Sequence, residues 1–194
     1  MTTLQEPAIE VCSFLEENNI AYVLVGGFAV QHWGEPRTTR DINIEILVDE
    51  EFKESVFTRI LQRFQPRYAN ALEFALQHRV LLIYASNGVP VDIALAAPGY
   101  SESIAQRSVR GEIAPSARPV ALISPEDLIV HKYLAHRPID LQDIRAILRR
   151  QQNRLDIDYI RTCLASFAPY VWEYNILGEF EQALAAIQSG EWAI

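Results

Sequence analysis

The sequence predicts an α+β protein, with a small mixed β-sheet flanked by helices and a helical bundle toward the C-terminal end. Segments rich in β-branched residues are confined to the first two thirds of the 194 residues. Asn87 and Gly88 stand between two of these segments, and an Asn-Gly pair in this setting is the strongest short-range signal for a β-hairpin. Every segment after Ser124 has the apolar spacing of a helix. Strands followed by a run of helices are typical of α+β proteins.

The first half of the core is predicted to alternate helices and strands. A helix is predicted over residues 4–17, because apolar residues recur there at spacings of three and four. The apolar run 22–25 predicts a buried strand that stops at two glycines, and residues 28–33 can form one or two helical turns. A second strand over 41–48 and a helix over 49–64 follow.

The second half of the chain changes from strands to helices near residue 120. Hairpin strands are predicted over 79–85 and 89–95, and a loop leads into a short edge strand within 118–123. Ser124 and Pro125 are typical of a helix start, since serine caps N–H groups and proline fits the first turn. Four helices are predicted, over 125–135, 139–152, 157–168 and 175–189. We expect an α/β core over 1–120 and a helical region, 121–194, that packs on it.

The composition excludes several classes of protein. The chain is 49% hydrophobic and 22% charged, which is too apolar for a disordered chain, and it has no uninterrupted apolar run of membrane-spanning length. The formal net charge of −8 argues against non-specific coating of nucleic acid, which depends on Lys and Arg. Cys12 and Cys163 are far apart, and the N-terminal residues lack the pattern of a secretory signal. We therefore expect a cytoplasmic protein with two buried, reduced cysteines.

The candidate site begins at the glycine pair Gly26-Gly27, between a predicted strand and a helix. Glycines there let the backbone approach a ligand, and a helix N-terminus offers N–H groups to a phosphate. In the next strand Asp41, Asn43 and Glu45 alternate with isoleucines, so that all three point to one face. Three oxygen-bearing side chains suit a hard cation such as Mg²⁺. The simpler alternatives are an ordinary turn and a strand with a polar, solvated face.

A further carboxylate lies in the second strand of the hairpin. Asp92 stands between Val91 and Ile93 in an otherwise apolar segment. A charge inside such a strand is costly unless it is paired or bound to a metal. If this strand neighbours that of Asp41, Asp92 completes an acidic cluster of the kind that holds the metal ions of nucleotide chemistry.

These motifs resemble those of a known superfamily. Gly26-Gly27, the run Arg37-Thr38-Thr39-Arg40-Asp41-Ile42-Asn43 and the later Asp92 resemble the nucleotidyltransferase fold of the DNA polymerase beta superfamily. Within it, the closer match is the AbiEii/AbiGii-toxin-like group, whose members carry an Arg-Thr-Thr-x-Asp-Ile-Asp run. That group also has a helical motif of Lys, Arg and then Asp-x-x-Asp, which is similar to Lys132, Arg137, Asp140 and Asp143. The resemblance spans about residues 20–150.

The resemblance implies an activity and a set of site residues. The activity is transfer of a nucleoside monophosphate from a nucleoside triphosphate to a hydroxyl of RNA, protein or a small molecule, with Mg²⁺ or Mn²⁺. A toxin–antitoxin or phage-defence role, with an antitoxin partner, is also implied. The nucleotide-binding residues would be Gly26, Gly27, Arg37, Thr38, Lys132 and Asp143. Asp41, Asn43 and Asp92 would be metal ligands, and Asp41, Asp92 and Lys132 the catalytic residues. Glu45 is a further candidate metal ligand, because it lies on the same strand face as Asp41 and Asn43.

One position departs from the pattern of the superfamily. Asn43 stands where a second Asp is expected, and an amide can ligate a metal but brings no charge. Losing one carboxylate weakens Mg²⁺ binding and removes a ligand that could bridge two metal ions. Three states are compatible with this change. They are a one-metal enzyme, an enzyme that uses Glu45 instead, and a nucleotide-binding protein that has lost catalysis.

Lys132 and the arginines have alternative interpretations. Lys132 is one of two lysines among 17 basic residues, which favours a dedicated role for its ammonium group in binding phosphate, with Asp143 orienting it or sharing the cleft. The alternative is an exposed helix residue paired with an acid, and Arg137 with Asp140 is interpreted as a structural ion pair. Two groups of arginines could receive a polyanion or could simply be solvated helix faces: Arg59, Arg63 and Arg67, and Arg145, Arg149, Arg150 and Arg154.

Overall fold

The computed structural model describes residues 4–97, 99–115 and 117–190. The chain forms two compact units. The first consists of Met1–Phe28 and Thr38–Ile123, and the second of Ala29–Arg37 and Ser124–Ile194. The second unit therefore combines a short upstream segment with the helical C-terminal part of the chain.

Helices and strands occur as follows in the described residues. The strands are Tyr22–Leu24 (β1), Ile42–Ile46 (β2), Gln65–Pro66 (β3), Val80–Tyr84 (β4), Pro90–Leu95 (β5), Val109–Gly111 (β6) and Val120–Leu122 (β7). The α-helices are Gln5–Glu17 (α1), Gly26–Trp33 (α2), Lys53–Leu61 (α3), Ala71–His78 (α4), Ser101–Arg107 (α5), Pro125–Ala135 (α6), Pro138–Gln151 (α7), Ile157–Phe167 (α8) and Ile176–Gln188 (α9). The strands of the described residues all lie before Ser124, and every later element is helical, which confirms the predicted α+β class.

The seven strands form one mixed sheet in the first unit. Its order is β3-β4-β5-β2-β1-β7-β6. β2 pairs parallel to β5 and antiparallel to β1, so it lies near the middle of the sheet. β7 was expected at an edge, and this prediction is wrong, because β6 pairs with it and takes the edge. The three residues of β6 are too few to show a strand pattern in the sequence.

The apolar face of β2 belongs to the core of the first unit. Ile42, Ile44 and Ile46 are at most 1% exposed, which confirms that the isoleucine face is the buried one. They share a cluster of buried side chains with residues of α1 and α3, such as Leu15 and Phe57. The opposite face of β2 is thereby left to Asn43 and Glu45, since successive side chains of a strand point to opposite faces.

The predicted hairpin is confirmed. β4 and β5 pair antiparallel through five residues each, from Val80 opposite Ala94 to Tyr84 opposite Pro90. In the turn, Val89 O accepts a hydrogen bond from Ala85 N at 2.9 Å. Gly88 has a φ of +83°, a left-handed conformation that glycine adopts readily.

Several short elements were not predicted. They are β3, α4, α5 and β6, none of which exceeds eight residues, so that hydrophobic periodicity has too few repeats to be recognised. The helix predicted over 49–64 is shorter than expected, since a 3₁₀ turn, Glu50–Phe52, precedes α3 and the helix ends at Leu61. Cys12 is buried as expected, whereas Cys163 is only partly buried.

The second unit contains the four C-terminal helices at nearly the predicted positions. α6 begins as predicted, with the Ser124 hydroxyl accepting a hydrogen bond from Asp127 N at 3.0 Å. Tyr133 of α6 and Phe180 of α9 meet edge to face with ring centroids 6.2 Å apart. No helix in the described part of the chain is long and apolar enough to cross a membrane.

Replacing Ile44 by alanine should destabilise the first unit. Ile44 is 1% exposed and lies in the middle of β2, so the change removes apolar contacts and leaves a cavity. We expect the free energy of unfolding to fall by about 3 kcal/mol, measured by urea denaturation. Val109→Ala, at a side chain that is 39% exposed, should change it by less than about 0.5 kcal/mol. Equal effects of the two changes would contradict this picture of the core.

Candidate functional site

Two predicted site residues lie directly opposite each other in the sheet. Asn43 of β2 and Asp92 of β5 are paired positions in adjacent parallel strands. Both side chains are partly buried. Asp41 immediately precedes β2, and its negative charge contributes to the shift of the pKa of Asp92. Asp41, Asn43 and Asp92 are therefore brought together within the first unit.

The glycine pair packs against this group. A Cβ atom on Gly26 would lie 3.0–3.2 Å from side-chain atoms of Asn43, and its φ of +62° is one that other residues rarely adopt. A Cβ atom on Gly27 would lie 2.5 Å from the Thr39 side chain. Both positions therefore require glycine because the start of α2 approaches Thr39 and Asn43 closely.

Thr39 connects the glycine pair to the first carboxylate. Its hydroxyl lies 3.2 Å from Asp41 Oδ1 and 3.3 Å from Asp41 O, and donates to these oxygens. Thr39 was not among the predicted site residues, although the Arg-Thr-Thr run contains it. Its contact with Gly27 explains why a small hydroxyl residue fits here, since a larger side chain would displace the start of α2.

Asp92 has a cationic partner, Arg67, which was not among the predicted site residues. Arg67 Nη1 donates to Asp92 Oδ1 at 2.6 Å. Burial raises the pKa of Asp92, Arg67 opposes this rise and the charge of Asp41 adds to it, with a raised pKa as the net result. The side chains of Arg67 and Asp92 are 26% and 34% exposed, so both can be reached by a ligand from solvent.

Glu45 lies two residues beyond Asn43 on the same strand and is 9% exposed. It pairs across the sheet with Val23 and Ala94 rather than with another acidic residue. In the part of the chain that the structure describes, no three His, Cys, Asp or Glu residues lie close enough together to hold a metal ion. Glu45 is therefore not grouped with Asp41 and Asp92, and its use as a metal ligand stays a prediction.

The donor set fits one hard cation better than two. Asp41 and Asp92 offer carboxylate oxygens, and Asn43, opposite Asp92 in the sheet, offers an amide oxygen. Magnesium is commonly bound by one or two carboxylates together with phosphate oxygens of a substrate. Two metal ions that share carboxylates would need more charge than two carboxylates supply, particularly with Arg67 bound to one of them.

A separate group of predicted residues lies in the second unit. Lys132 of α6 donates to Asp140 Oδ1 at 3.0 Å and to Asp143 Oδ2 at 2.6 Å. Its side chain is 5% exposed, so Lys132 is not the exposed, acid-paired helix residue of the alternative interpretation but a buried one bound by two carboxylates of α7. The contact agrees with the idea that Asp143 orients Lys132, while contact of Lys132 with phosphate stays a prediction.

Two arginines complete this ion-pair network. Arg37 binds Asp143 through two hydrogen bonds, of 2.8 Å to Oδ1 and 3.0 Å to Oδ2. Arg137 binds Asp140 in the same manner, and Asp140 Oδ2 also accepts a hydrogen bond from Arg137 N at 3.2 Å at the start of α7. Although burial raises the pKa of Asp140, the hydrogen bonds from Arg137 and Lys132 hold it below the usual value. Positive and negative groups alternate along the network, which compensates the cost of burying them.

The remaining predicted residues are placed as follows. Thr38 is exposed, and the binding of nucleotide by Arg37 and Thr38 stays a prediction. The first arginine group does not form one helix face, because α3 ends at Leu61, before two of its members. Arg63 pairs with Glu10 and Arg67 with Asp92.

The second arginine group contacts backbone carbonyls and one acid. Arg150 donates to Gly34 O, Arg154 donates to Arg150 O at 2.8 Å, and Arg149 pairs with Glu35. These contacts are all within the second unit. They give Arg149, Arg150 and Arg154 structural partners, and binding of a polyanion by this group stays a prediction.

Comparison with solved structures identifies the fold. The chain is similar to an antigenic nucleotidyltransferase-like protein from Paracoccidioides brasiliensis, with a TM-score of 0.53 and 18% identity over 94% of this chain and 92% of that one. It is also similar to the antibiotic-resistance factor ANT(2″)-Ia, with a TM-score of 0.50 and 14% identity over 84% and 89% of the two chains. No protein-family model and no curated protein matches the sequence. The chain thus has a nucleotidyltransferase-like fold.

Replacing Asp140 by asparagine should destabilise the second unit. Asp140 is 1% exposed, and its loss leaves Lys132 with one carboxylate, so we expect about 3 kcal/mol less stability at neutral pH. Because the pKa of Asp140 is lowered in the folded chain, its contribution is full above the usual value of 3.8 and is lost as the pH falls through the lowered value. Urea denaturation at several pH values should show the two proteins converge in acid.

The matched control is Asp158→Asn, at a side chain that is 92% exposed. It should change stability by less than about 0.5 kcal/mol at every pH. A difference between Asp140→Asn and the unmodified chain that did not shrink in acid would contradict the assigned role of the carboxylate.

Proposed function

We propose that this chain is a nucleotidyltransferase, which transfers a nucleoside monophosphate from a nucleoside triphosphate to a hydroxyl acceptor. One observation carries the proposal, namely the grouping of Asp41, Asn43 and Asp92 beside the glycine turn that begins α2. The nucleotidyltransferase-like fold supports it, and so does the order of the motifs in the sequence.

The glycine turn is suited to binding the phosphates. Gly26 and Gly27 start α2, where backbone N–H groups have no partner within the helix and the helix dipole favours an anion. Thr39 and Asn43 pack against the two glycines, which keeps the start of α2 and its N–H groups beside Asp41 and Asn43, where phosphate oxygens would bind. We therefore assign the triphosphate to this end of α2.

The carboxylates are suited to activating the acceptor. Burial and Asp41 raise the pKa of Asp92 above its usual value although Arg67 opposes the rise, and a raised pKa makes the carboxylate a better proton acceptor. In the proposed step Asp92 takes the proton of the acceptor hydroxyl, the acceptor oxygen bonds to the α-phosphorus, and pyrophosphate leaves. Asp41, Asn43 and Asp92 would hold one Mg²⁺ or Mn²⁺, which neutralises charge on the phosphates when it is bound.

Finer features of the function are proposed from the sequence motifs alone. The Arg-Thr-Thr-x-Asp-Ile run supports membership of the AbiEii/AbiGii-toxin-like group, and with it a toxin–antitoxin or phage-defence role in the cytoplasm, with an antitoxin protein as partner. The acceptor would be a hydroxyl of RNA, of a protein or of a small molecule. Arg37, Thr38, Lys132 and Asp143 would contribute to nucleotide binding in this proposal.

A second candidate function is a protein that binds nucleotide without turnover. The observation that favours it is Asn43, an uncharged residue directly opposite Asp92, together with the engagement of Asp92 by Arg67. This arrangement has less negative charge than three aspartates would have, so it holds a divalent cation more weakly. A degenerate enzyme of this kind would bind a triphosphate with little dependence on Mg²⁺.

Release of pyrophosphate tests the proposed transfer. With Mg²⁺ or Mn²⁺ and each of the four triphosphates, the full chain should release pyrophosphate when RNA, protein or small-molecule acceptors are supplied. Asp41→Ala and Asp92→Ala should each lower the rate at least about 100-fold, since each removes a charged group from the reacting centre. Asp49→Ala, at an exposed aspartate of the same unit, should leave the rate unchanged. No turnover with any triphosphate and acceptor would count against the proposal.

Replacing Asn43 by aspartate separates the two candidate functions. If the unmodified chain is an enzyme adapted to Asn43, the added charge should leave the rate equal or lower, because the amide is then the fitted ligand. If the natural chain is a degenerate enzyme, the unmodified protein should be silent and Asn43→Asp should create activity. The measurement is the rate of pyrophosphate release at several Mg²⁺ concentrations, with circular dichroism to confirm that the variant folds.

A further inference from the structure

Both the backbone N–H and the guanidinium group of Arg67 are hydrogen-bonded to the sheet. Its backbone N–H donates to Leu82 O at 3.0 Å, and Leu82 of β4 lies opposite Asp92 of β5 in the sheet. Its guanidinium then reaches across β4 to Asp92 Oδ1 at 2.6 Å. The sheet therefore fixes both the origin of this side chain and its target, although the two residues are 25 positions apart in the chain.

The guanidinium changes the charge of the site. Asp41 and Asp92 are the two carboxylates near Asn43, and Arg67 neutralises one of them through a charge-assisted hydrogen bond. A triphosphate is a polyanion that approaches such a site more easily when a positive group is already present. Arginine is particularly suited to this, because its planar guanidinium can bind a carboxylate or a phosphate with the same donors.

The contact is one that a ligand can exchange. Arg67 and Asp92 are each about a quarter to a third exposed, and partly exposed ion pairs contribute little net stability. Turning the guanidinium from a carboxylate to a phosphate oxygen therefore costs little, while it frees the Asp92 carboxylate. Lys132, in contrast, is 5% exposed between Asp140 and Asp143, and breaking its contacts would leave buried charges without compensation.

We propose that Arg67 is a built-in cation of this site, which occupies Asp92 in the ligand-free chain and transfers to the phosphates of a bound nucleoside triphosphate. The proposal rests on the proposed function, since it names a substrate-binding residue of the same site. With three aspartates, as in the superfamily pattern, metal ions would supply the positive charge at this site, and here Arg67 supplies part of it. When no triphosphate is bound, Arg67 competes with a metal ion for Asp92.

Two binding measurements on Arg67→Gln should shift in opposite directions. In the presence of EDTA, the affinity of the full chain for nucleoside triphosphates and for inorganic triphosphate should fall about tenfold, because a charge-assisted hydrogen bond is lost. In the absence of nucleotide, the affinity for Mn²⁺ should rise several-fold, because Asp92 is released. Isothermal titration calorimetry measures both quantities. Damage to the fold would weaken both, so the opposite signs identify the role of the charge.

Two further variants make the comparison specific. Arg67→Lys keeps the positive charge and should retain most of the triphosphate affinity, and it should leave Mn²⁺ binding close to that of the unmodified chain. Arg110→Gln is the matched control, because Arg110 Nη1 also lies 2.6 Å from a carboxylate, that of Glu16. Both arginines belong to the first unit, and Arg110→Gln should change neither affinity.

The outcomes separate this inference from the proposed function. If the unmodified chain binds triphosphate but Arg67→Gln shifts both affinities in one direction, or shifts neither, the inference is wrong and the proposed function stands. Binding of triphosphate only in the presence of a divalent metal would also overturn the inference alone. If the unmodified chain binds no triphosphate with or without metal, the proposed function fails and the inference falls with it.

Discussion

The parallel pairing of β2 with β5 is the interaction on which the candidate site depends. Its register places Asn43 opposite Asp92 on one face and Ile44 opposite Ile93 on the other. Because side chains alternate along a strand, a slip by one residue would bury the polar groups and expose the isoleucines. Burial of the isoleucines therefore fixes the position of the polar groups, so the free energy that folds the first unit also assembles its site.

Much of this arrangement could be predicted from local patterns. The alternation of isoleucines with Asp41, Asn43 and Glu45, the Asn87-Gly88 turn and the Ser124-Pro125 helix start each depend on neighbouring residues, and the structure has the corresponding elements. The partnership of Arg67 with Asp92 could not be predicted, because it depends on a two-residue strand and on the order of three strands. The burial of Lys132 likewise depends on how α6 packs against α7. This packing cannot be predicted from the sequence of either helix alone.

The two ion-pair groups differ in what they can do. In the second unit, Lys132, Asp140 and Asp143 are almost fully buried, and each of the two carboxylates has two cationic partners. Such a group resists rearrangement, because breaking one contact leaves a charge without compensation in a medium of low polarity. The contact in the first unit is partly exposed and single, so it can be exchanged at low cost. The difference in burial thus separates a fixed framework from an adaptable site.

The assignment of Ala29–Arg37 to the second unit has a consequence for dissection of the chain. A cut between Ile123 and Ser124 would yield neither unit whole, because the C-terminal fragment would lack the arginine that binds Asp143. The N-terminal fragment would contain residues 29–37 but lack the helices with which they form a unit. During synthesis on the ribosome, that same segment emerges long before the helices with which it forms a unit. The chain must therefore keep this segment available until the helices of the second unit have been made.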